Sequence, residues 1–266
     1  VAAAMYVKEK YPSLGGYTGI NQNYAWGQDS WRDFDLTLKQ ILPNSKASDT
    51  TQFPKIFAGQ YGSEISALAL DEAELIHTSF WGGDLEAFIF QGNARGLFKD
   101  KIGVFTVGGT AAYRLGKKLP DGLVLGARGP YGILVRDRDS ALNQWWVHTY
   151  KNLYGTYPSG PAYQYGQAIL ATKIAYDKAG SGATDEQLAA ALKGITFESF
   201  STTVEMALGN GHQAVTENGY GITKYDEANG ENVVTDVKFY PGSCIMPPKG
   251  ANSVDWIKGG MQGAKC

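Results

Sequence analysis

The first two thirds of the chain alternate short apolar runs with stretches in which apolar residues recur at helical spacing. Strands are predicted over 17–22, 74–81 and 102–107, and helices over 1–11, 30–42, 60–70 and 84–95. Such alternation is typical of βαβ units, whose strands lie parallel in one sheet. The pattern therefore predicts an α/β fold with parallel sheets flanked by helices.

The pattern changes after Leu119, where a Pro-Asp-Gly turn precedes the apolar run 123–126 and a second glycine-rich break. We interpret this stretch as a crossing between domains. Helices are predicted over 138–153 and 162–179, and a third after Thr184, where a capping box stands before an apolar pattern. Strands are predicted over 219–224 and 233–240, followed by a turn-rich tail in which Trp256 packs back onto the body.

Composition narrows the class of protein. The chain has 266 residues, 43% of them apolar, with 24 Lys and Arg against 26 Asp and Glu, a net charge of −2. Without a basic excess, nucleic acid is not an expected partner. No apolar stretch reaches the ~18 residues that cross a bilayer. The sequence thus predicts a globular protein of one large or two small domains.

Motifs for metal, cofactor and catalysis are missing from the sequence. Its three histidines are scattered, and its two cysteines, Cys244 and Cys266, stand too far apart for a CxxC motif. The cysteines form one disulfide in an oxidising compartment, or remain two free thiols. The stretch 209–214 matches the GxGxxA motif of dinucleotide-binding proteins, but it lacks the preceding strand and the following helix that such binding requires. We therefore expect no metal, no cofactor and no catalytic residues.

Three glycine-rich segments follow predicted strands, at 21–27, 79–84 and 106–110. Carboxyl ends of parallel strands meet at one edge of a sheet, where ligands bind against free backbone N–H groups. The segments combine glycine with aromatic and hydroxyl side chains that suit a small solute. The predicted ligand-binding residues are Tyr24, Phe80, Trp81, Gly82, Asp84, Val107 and Gly108.

Several residues in and near these segments also have a structural interpretation. Asp84 stands where a helix begins and is a good N-cap, which we favour over ligand contact. Tyr24 and Trp81 are equally suited to contact with a ligand and to packing within the protein, and Trp26 and Trp31 are expected in the core.

Six collinear stretches give the chain a resemblance to the type I periplasmic solute-binding proteins of ABC transporters, of the branched-chain-amino-acid type (Leu/Ile/Val-binding-like). They are Asn23-Tyr-Ala-Trp-Gly-Gln-Asp-Ser30, Gly62-Ser-Glu-Ile-Ser-Ala-Leu68, Phe80-Trp-Gly-Gly-Asp-Leu-Glu-Ala-Phe88, Leu119-Pro-Asp-Gly122, Tyr157-Pro-Ser159 and Gly211-His-Gln-Ala214. Each stretch is weak alone, but their order and spacing make the resemblance specific.

The resemblance implies two α/β lobes that close on a small solute, with an ABC transporter permease as partner. It implies a periplasmic or cell-surface location, with membrane contact only through the permease or a lipid anchor. Residues 1–121 would form a crossover helix and the carboxyl-side lobe, 122–200 the returning part of the amino-side lobe, 201–240 the carboxyl-side lobe again, and 241–266 a tail. Family members carry a further upstream stretch, so an N-terminal fragment that completes the amino-side lobe is expected.

The sequence also departs from the family pattern at a position that contacts the ligand in amino-acid binders. Amino-acid binders of this type place an acidic residue near the position of Val107, and none stands there. Burying an unpaired ammonium group is costly, so α-amino acids are disfavoured unless Asp84 replaces that acid. We expect an aromatic or other amphiphilic organic acid or amide. The alternatives are a ligand-sensing or assembly module of the same fold and, less favoured, an amidase-like enzyme.

Overall fold

A seven-stranded sheet organises the chain, which the computed structural model describes over residues 1–266. The helices are α1 (Ala2–Lys10), α2 (Ala25–Ile41), α3 (Gly62–Leu70), α4 (Gly82–Ala94), α5 (Leu97–Asp100), α6 (Ala112–Leu115), α7 (Ala141–Tyr154), α8 (Gly160–Ala179), α9 (Asp185–Leu192), α10 (Gly242–Ile245) and α11 (Ser253–Lys258). The strands are β1 (Gly16–Gly19), β2 (Lys46–Ala47), β3 (Leu75–Thr78), β4 (Ile102–Phe105), β5 (Val124–Gly126), β6 (Thr196–Glu198), β7 (Thr203–Leu208), β8 (Gln213–Val215), β9 (Asn218–Asp226) and β10 (Glu231–Tyr240). Most predicted elements are therefore confirmed, with ends shifted by a few residues.

The large sheet has the strand order β10-β9-β5-β4-β3-β1-β2. Strands β2, β1, β3, β4 and β5 are parallel, while β9 and β10 form an antiparallel hairpin that pairs with β5. Strands β6, β7 and β8 form a separate antiparallel sheet. The predicted mostly parallel α/β fold is confirmed.

The core lies on both faces of the large sheet because successive strand residues point to opposite sides. In β4, Phe105 belongs to a cluster of 25 buried residues with α3 and α4, whereas Val104 belongs to a cluster of 15 with α1 and α2. The larger cluster extends to Tyr163 of α8 and Phe200 beside the small sheet. The larger cluster therefore extends from the large sheet to α8 and to the loop between β6 and β7.

Local signals behave as predicted at several helix ends. The Thr184 hydroxyl accepts from the backbone N–H of Gln187, whose side chain accepts from the backbone N–H of Thr184, so the capping box at α9 is confirmed. Gly96 ends α4 with φ of 73°, a conformation in which glycine carries no steric cost. In the tail, Trp256 is buried against α2, as expected.

Sheet pairing divides the chain differently from the predicted segments at two places. Strand β5 lies within 122–200 but pairs with β4 in the large sheet, and β7 and β8 lie within 201–240 but pair with β6 in the small one. Cys244 and Cys266 form a disulfide. No helix combines the length and apolar character that spanning a membrane requires.

Candidate ligand-binding cleft

A cleft of about 260 Å³ opens at the carboxyl ends of the parallel strands. Because β1, β3, β4 and β5 run in the same direction, the segments that follow them converge on this edge. Eleven residues line the cleft: Trp81, Gly82, Val107, Thr110, Arg114, Ala127, Arg128, Ser159, Gly160, Pro161 and Gln164. Three of the seven predicted site residues are thus brought together: Trp81, Gly82 and Val107.

Trp81 is held in place by two aromatic neighbours. Its indole Nε1–H donates to the Tyr24 hydroxyl over 2.8 Å, and the Phe57 ring packs edge-on at 5.8 Å between centroids. Tyr24 comes from the segment after β1 and Trp81 from the segment after β3. Tyr24 therefore fixes the orientation of an indole that forms part of the cleft wall.

Backbone conformation exposes the peptide groups beside Trp81. Gly82 has φ of 58°, and no atom lies within 4 Å of the position that a Cβ would occupy. Trp81 is the N-cap of α4 and makes no side-chain cap. Since the first N–H groups of a helix have no intrahelical partner, they remain available at this edge.

Val107 and Gly108 have different roles in the segment after β4. Val107 lines the cleft and precedes one turn of 3-10 helix at Gly108–Thr110, in which its carbonyl accepts from the Thr110 hydroxyl. A Cβ on Gly108 would lie 2.9 Å from Leu125 Cγ. Gly108 therefore allows this turn to pack against β5 and is not a wall of the cleft.

Two predicted site residues face the interior. Phe80 is fully buried between Tyr61 and Phe88, with ring centroids at 5.0 and 5.6 Å. Its aromatic side chain belongs to the larger core cluster, whereas its neighbour Trp81 lines the cleft. In this conformation the Phe80 ring has no surface to offer to a ligand.

Asp84 is also buried, with 2% of its surface exposed. Its carboxylate accepts from Gln22 Nε2 at 2.6 Å and from the backbone N–H of Phe57 at 2.7 Å. Burial acts to raise the pKa of this carboxyl, but its hydrogen bonds outweigh that effect and hold the pKa below its usual range. The N-cap interpretation is wrong, because α4 begins at Gly82 and Trp81 is its N-cap. Nor is the carboxylate free to replace the acid missing near Val107.

Sequence reasoning missed Arg128, which follows β5 and lines the cleft. Its guanidinium carbon lies 4.3 Å from the centre of the Trp26 ring, and Trp26 Nε1–H donates to the carbonyl of Ser79 at 3.1 Å. The strand-end argument that selected the other three segments applies equally to β5. Arg128 was missed because the stretch after Leu119 was interpreted as a domain crossing.

A second wall comes from the start of α8, which sequence reasoning also missed. Ser159 is the N-cap of this helix, and its side chain makes no cap hydrogen bond. Gly160, Pro161 and Gln164 continue the wall. The N-termini of α4 and α8 both border the cleft, and their aligned peptide dipoles favour negative charge there.

The chain belongs to the periplasmic binding protein family. The sequence profile of that family, described as "Periplasmic binding protein", matches residues 16–230. No curated protein sequence matches the chain. The family assignment agrees with the resemblance found in the sequence and with the α/β fold.

Solved structures of solute-binding proteins share this fold. One is the solute-binding protein of an ABC transporter from Rhodopseudomonas palustris BisB5, in complex with 3,4-dihydroxybenzoic acid; it is 16% identical with a TM-score of 0.76, over 91% of this chain and 64% of that one. Another is the leucine-, isoleucine-, valine-, threonine- and alanine-binding protein from Brucella ovis, 17% identical with a TM-score of 0.71, over 94% and 64%. A third is an amino acid ABC transporter substrate-binding protein from Pseudomonas fluorescens Pf-5, 13% identical with a TM-score of 0.75, over 96% and 66%. The chain therefore spans about two thirds of the length of each.

Proposed function

We propose that this protein is an extracytoplasmic substrate-binding protein that captures a small organic solute in the cleft for uptake by an ABC transporter. The observation that carries the proposal is the convergence of Trp81, Val107 and Arg128 from three strand ends on one cleft. Family membership and the shared fold agree with it. Binding energy then goes into lobe closure, which a permease senses as a shift between open and closed populations.

The cleft suits a small ligand with a flat apolar part. Its volume of about 260 Å³ lies below the ~300–1,000 Å³ of pockets that enclose drug-sized molecules. Trp81 offers the face or edge of an indole, and Val107 offers an aliphatic surface. Relatives of this fold were solved with 3,4-dihydroxybenzoic acid, benzoate and 4-hydroxybenzoate. We propose an aromatic organic acid or amide as the ligand class.

Among the predicted site residues, we propose that Trp81, Gly82 and Val107 contact the ligand and that Tyr24 positions Trp81. We further propose that the cleft is part of an interlobe site. The carboxyl-side lobe would be residues 1–121 and 201–240, and the amino-side lobe would include 122–200. Sheet pairing favours moving β5 to the first lobe and β7 and β8 to the second.

We propose that the ligand is released unchanged and that the protein works outside the cytoplasm beside a permease. A disulfide between Cys244 and Cys266 is consistent with an oxidising compartment. The family assignment favours transport over the amidase-like alternative. Mass spectrometry of a ligand recovered after incubation with the protein checks the first point, and hydrolysis of an amide or ester panel would contradict it.

Calorimetric titration with benzoate, 4-hydroxybenzoate, benzamide and leucine tests the function. We expect binding of the aryl ligands and a loss of affinity of about tenfold or more in Trp81→Ala, because the substitution removes the apolar wall. Trp145→Ala is the matched control, since Trp145 lies on α7 with 57% of its surface exposed. Tight leucine binding without aryl binding would overturn the ligand class, and binding of none of the four would contradict the function.

A further inference from the structure

Arg128 differs from every other arginine in the chain. Of the six arginines, Arg32, Arg114, Arg136 and Arg138 form ion pairs with carboxylates, and Arg95 donates to the carbonyl of Gly62. Arg128 alone has neither an ion pair nor a hydrogen bond to the protein. Its guanidinium donors are therefore available at the cleft.

Arg128 is exposed, but its backbone conformation and one ring contact constrain it. Its backbone has φ of 61°, in the left-handed region that non-glycine residues seldom occupy. Its guanidinium carbon lies over the Trp26 ring, 4.3 Å from the ring centre, and the indole N–H of Trp26 is itself held by the carbonyl of Ser79. Stacking uses the flat face of the group and leaves the N–H donors along its edge free.

The charges around Arg128 are not balanced within the cleft. Two of the eleven lining residues are arginines and none is acidic. Arg114 is compensated by its ion pair with Glu86, and the Asp84 carboxylate is occupied by Gln22 and Phe57. Arg128 is thus a positive charge without a counter-charge, between the N-termini of α4 and α8, which also favour an anion.

We propose that Arg128 binds the carboxylate of the ligand, so that the cleft selects small organic monoanions over neutral amides and over solutes that carry an ammonium group. The planar guanidinium matches a carboxylate through two parallel N–H···O bonds. An ammonium group in the same place would meet Arg128 with like charge and find no acid. The proposal rests on the proposed function and narrows its ligand class from acids and amides to acids.

Three ligands of the same shape test the proposal: benzoate, benzamide and benzylamine, titrated calorimetrically into the full chain. We expect benzoate to bind the natural protein at least about tenfold more tightly than benzamide, and benzylamine to bind most weakly. In Arg128→Gln, benzoate affinity should fall by about 10- to 100-fold, the value of a charged hydrogen bond, while benzamide affinity stays within about twofold. Arg128→Lys should recover part of the loss, because it restores the charge without the paired donors.

The control variant is Arg95→Gln, which removes a positive charge at the opposite end of α4 and should leave all three affinities unchanged. Circular dichroism and the melting temperature show whether each variant is folded. Equal loss of benzoate and benzamide in Arg128→Gln, or no loss of either, would overturn the role of Arg128 while the proposed function stands. Failure of the natural protein to bind any of the three would instead count against the proposed function itself.

Discussion

His77 is a titratable side chain in the middle of the large sheet, stacked on Phe34 at 4.4 Å between ring centroids and tilted against Trp31 at 5.9 Å. It is 1% exposed, and its Nδ1 has no hydrogen-bond partner. Burial without a counter-charge disfavours the imidazolium and lowers the pKa of His77 to about 3. The folded protein therefore keeps this histidine neutral at pH values where an unfolded chain protonates it.

The pH dependence of stability follows from that difference. Between the ordinary pKa of 6.5 and the folded value of about 3, unfolding takes up a proton at His77. The free energy of unfolding should thus fall as the pH is lowered through this window, by up to about 1.4 kcal/mol per pH unit. Urea denaturation at several pH values measures the slope, which should become shallower in His77→Phe.

His148→Gln is the matched control for that measurement, because His148 is exposed on α7. Other groups that titrate in the same range are common to all three proteins, so the difference between the slopes isolates His77. Equal slopes for the natural protein and His77→Phe would contradict the prediction.

Asp84 and Arg128 show how much of the site can be predicted from residue type and position in the sequence. Both follow strands, and the sequence predicts that their segments reach the same edge of the sheet. It does not reveal that the Asp84 side chain turns inward toward Gln22 and Phe57, since those partners come from distant segments. The stacking of Arg128 on Trp26 likewise joins positions about a hundred residues apart, a contact that only the folded chain creates.

Helix α2 begins with a close contact that only glycine permits. A Cβ on Gly27 would overlap the carbonyl oxygen of Gln22. Gln22 has little freedom to move, because its side chain donates to Asp84. Tyr24, which lies between them and is the N-cap of α2, accepts the hydrogen bond of Trp81.

We therefore expect Gly27→Ala to disturb both stability and the cleft. Overpacking of this kind typically costs about 1–3 kcal/mol of the free energy of unfolding, and displacement of Tyr24 should release Trp81. Chemical denaturation measures the first effect, and tryptophan fluorescence with benzoate measures the second.

Gly182→Ala is the control for Gly27→Ala, since no atom lies within 4 Å of the corresponding Cβ position in the loop before α9. Its stability should match that of the natural protein within about 1 kcal/mol, the range of a compatible glycine replacement. A Gly27→Ala protein as stable as this control would contradict the close contact.

Elements were predicted well where the local pattern was strong, as in the parallel strands and the capped helix α9. Strand β5 is the exception, and its missing assignment to the large sheet is the reason that a cleft residue was not predicted. Its apolar run was recognised, yet only its pairing with β4 places it in the large sheet, and that pairing is a long-range property. With β5 in the sheet, Arg128 becomes a fourth strand-end residue by the argument already applied to the others.

At the scale of the whole molecule, α8 and the loop between β6 and β7 extend the larger core cluster, and the start of α8 provides the second wall of the cleft. The sequence predicts that residues 122–200 separate from what precedes them, whereas strand pairing joins β5, which lies in that range, to β4 in the large sheet. A turn such as Pro120-Asp121-Gly122 marks a bend in the chain without showing to which sheet the next strand belongs.

The tail, residues 241–266, is attached to the body through α10, α11 and a disulfide. Cys244 is fully buried in the cluster with α1 and α2, and Trp256 and Ile257 pack on α2. Cys266 is joined to Cys244 across 22 residues of sequence. The bond therefore fixes the end of the chain to an element that is already part of the core.

Reduction of this disulfide should loosen the tail. In the chain-entropy description, closing a loop of 22 residues contributes about 3 kcal/mol, which is lost to the extent that the tail unfolds with the body. We expect a lower denaturation midpoint with reductant present, and faster proteolysis after Lys249, Lys258 and Lys265 in the tail.

Cys244→Ala with Cys266→Ala separates the bond from other effects of the reductant. This double variant should resemble the reduced natural protein and should not respond to reductant, although the smaller side chain at the buried position 244 adds a packing cost of its own. If the natural protein keeps its midpoint and its proteolysis pattern after full reduction, the tail is held by Trp256 and Ile257 alone. If only the proteolysis changes, the tail unfolds separately from the two sheets, and the disulfide secures the end of the chain without supporting the cleft.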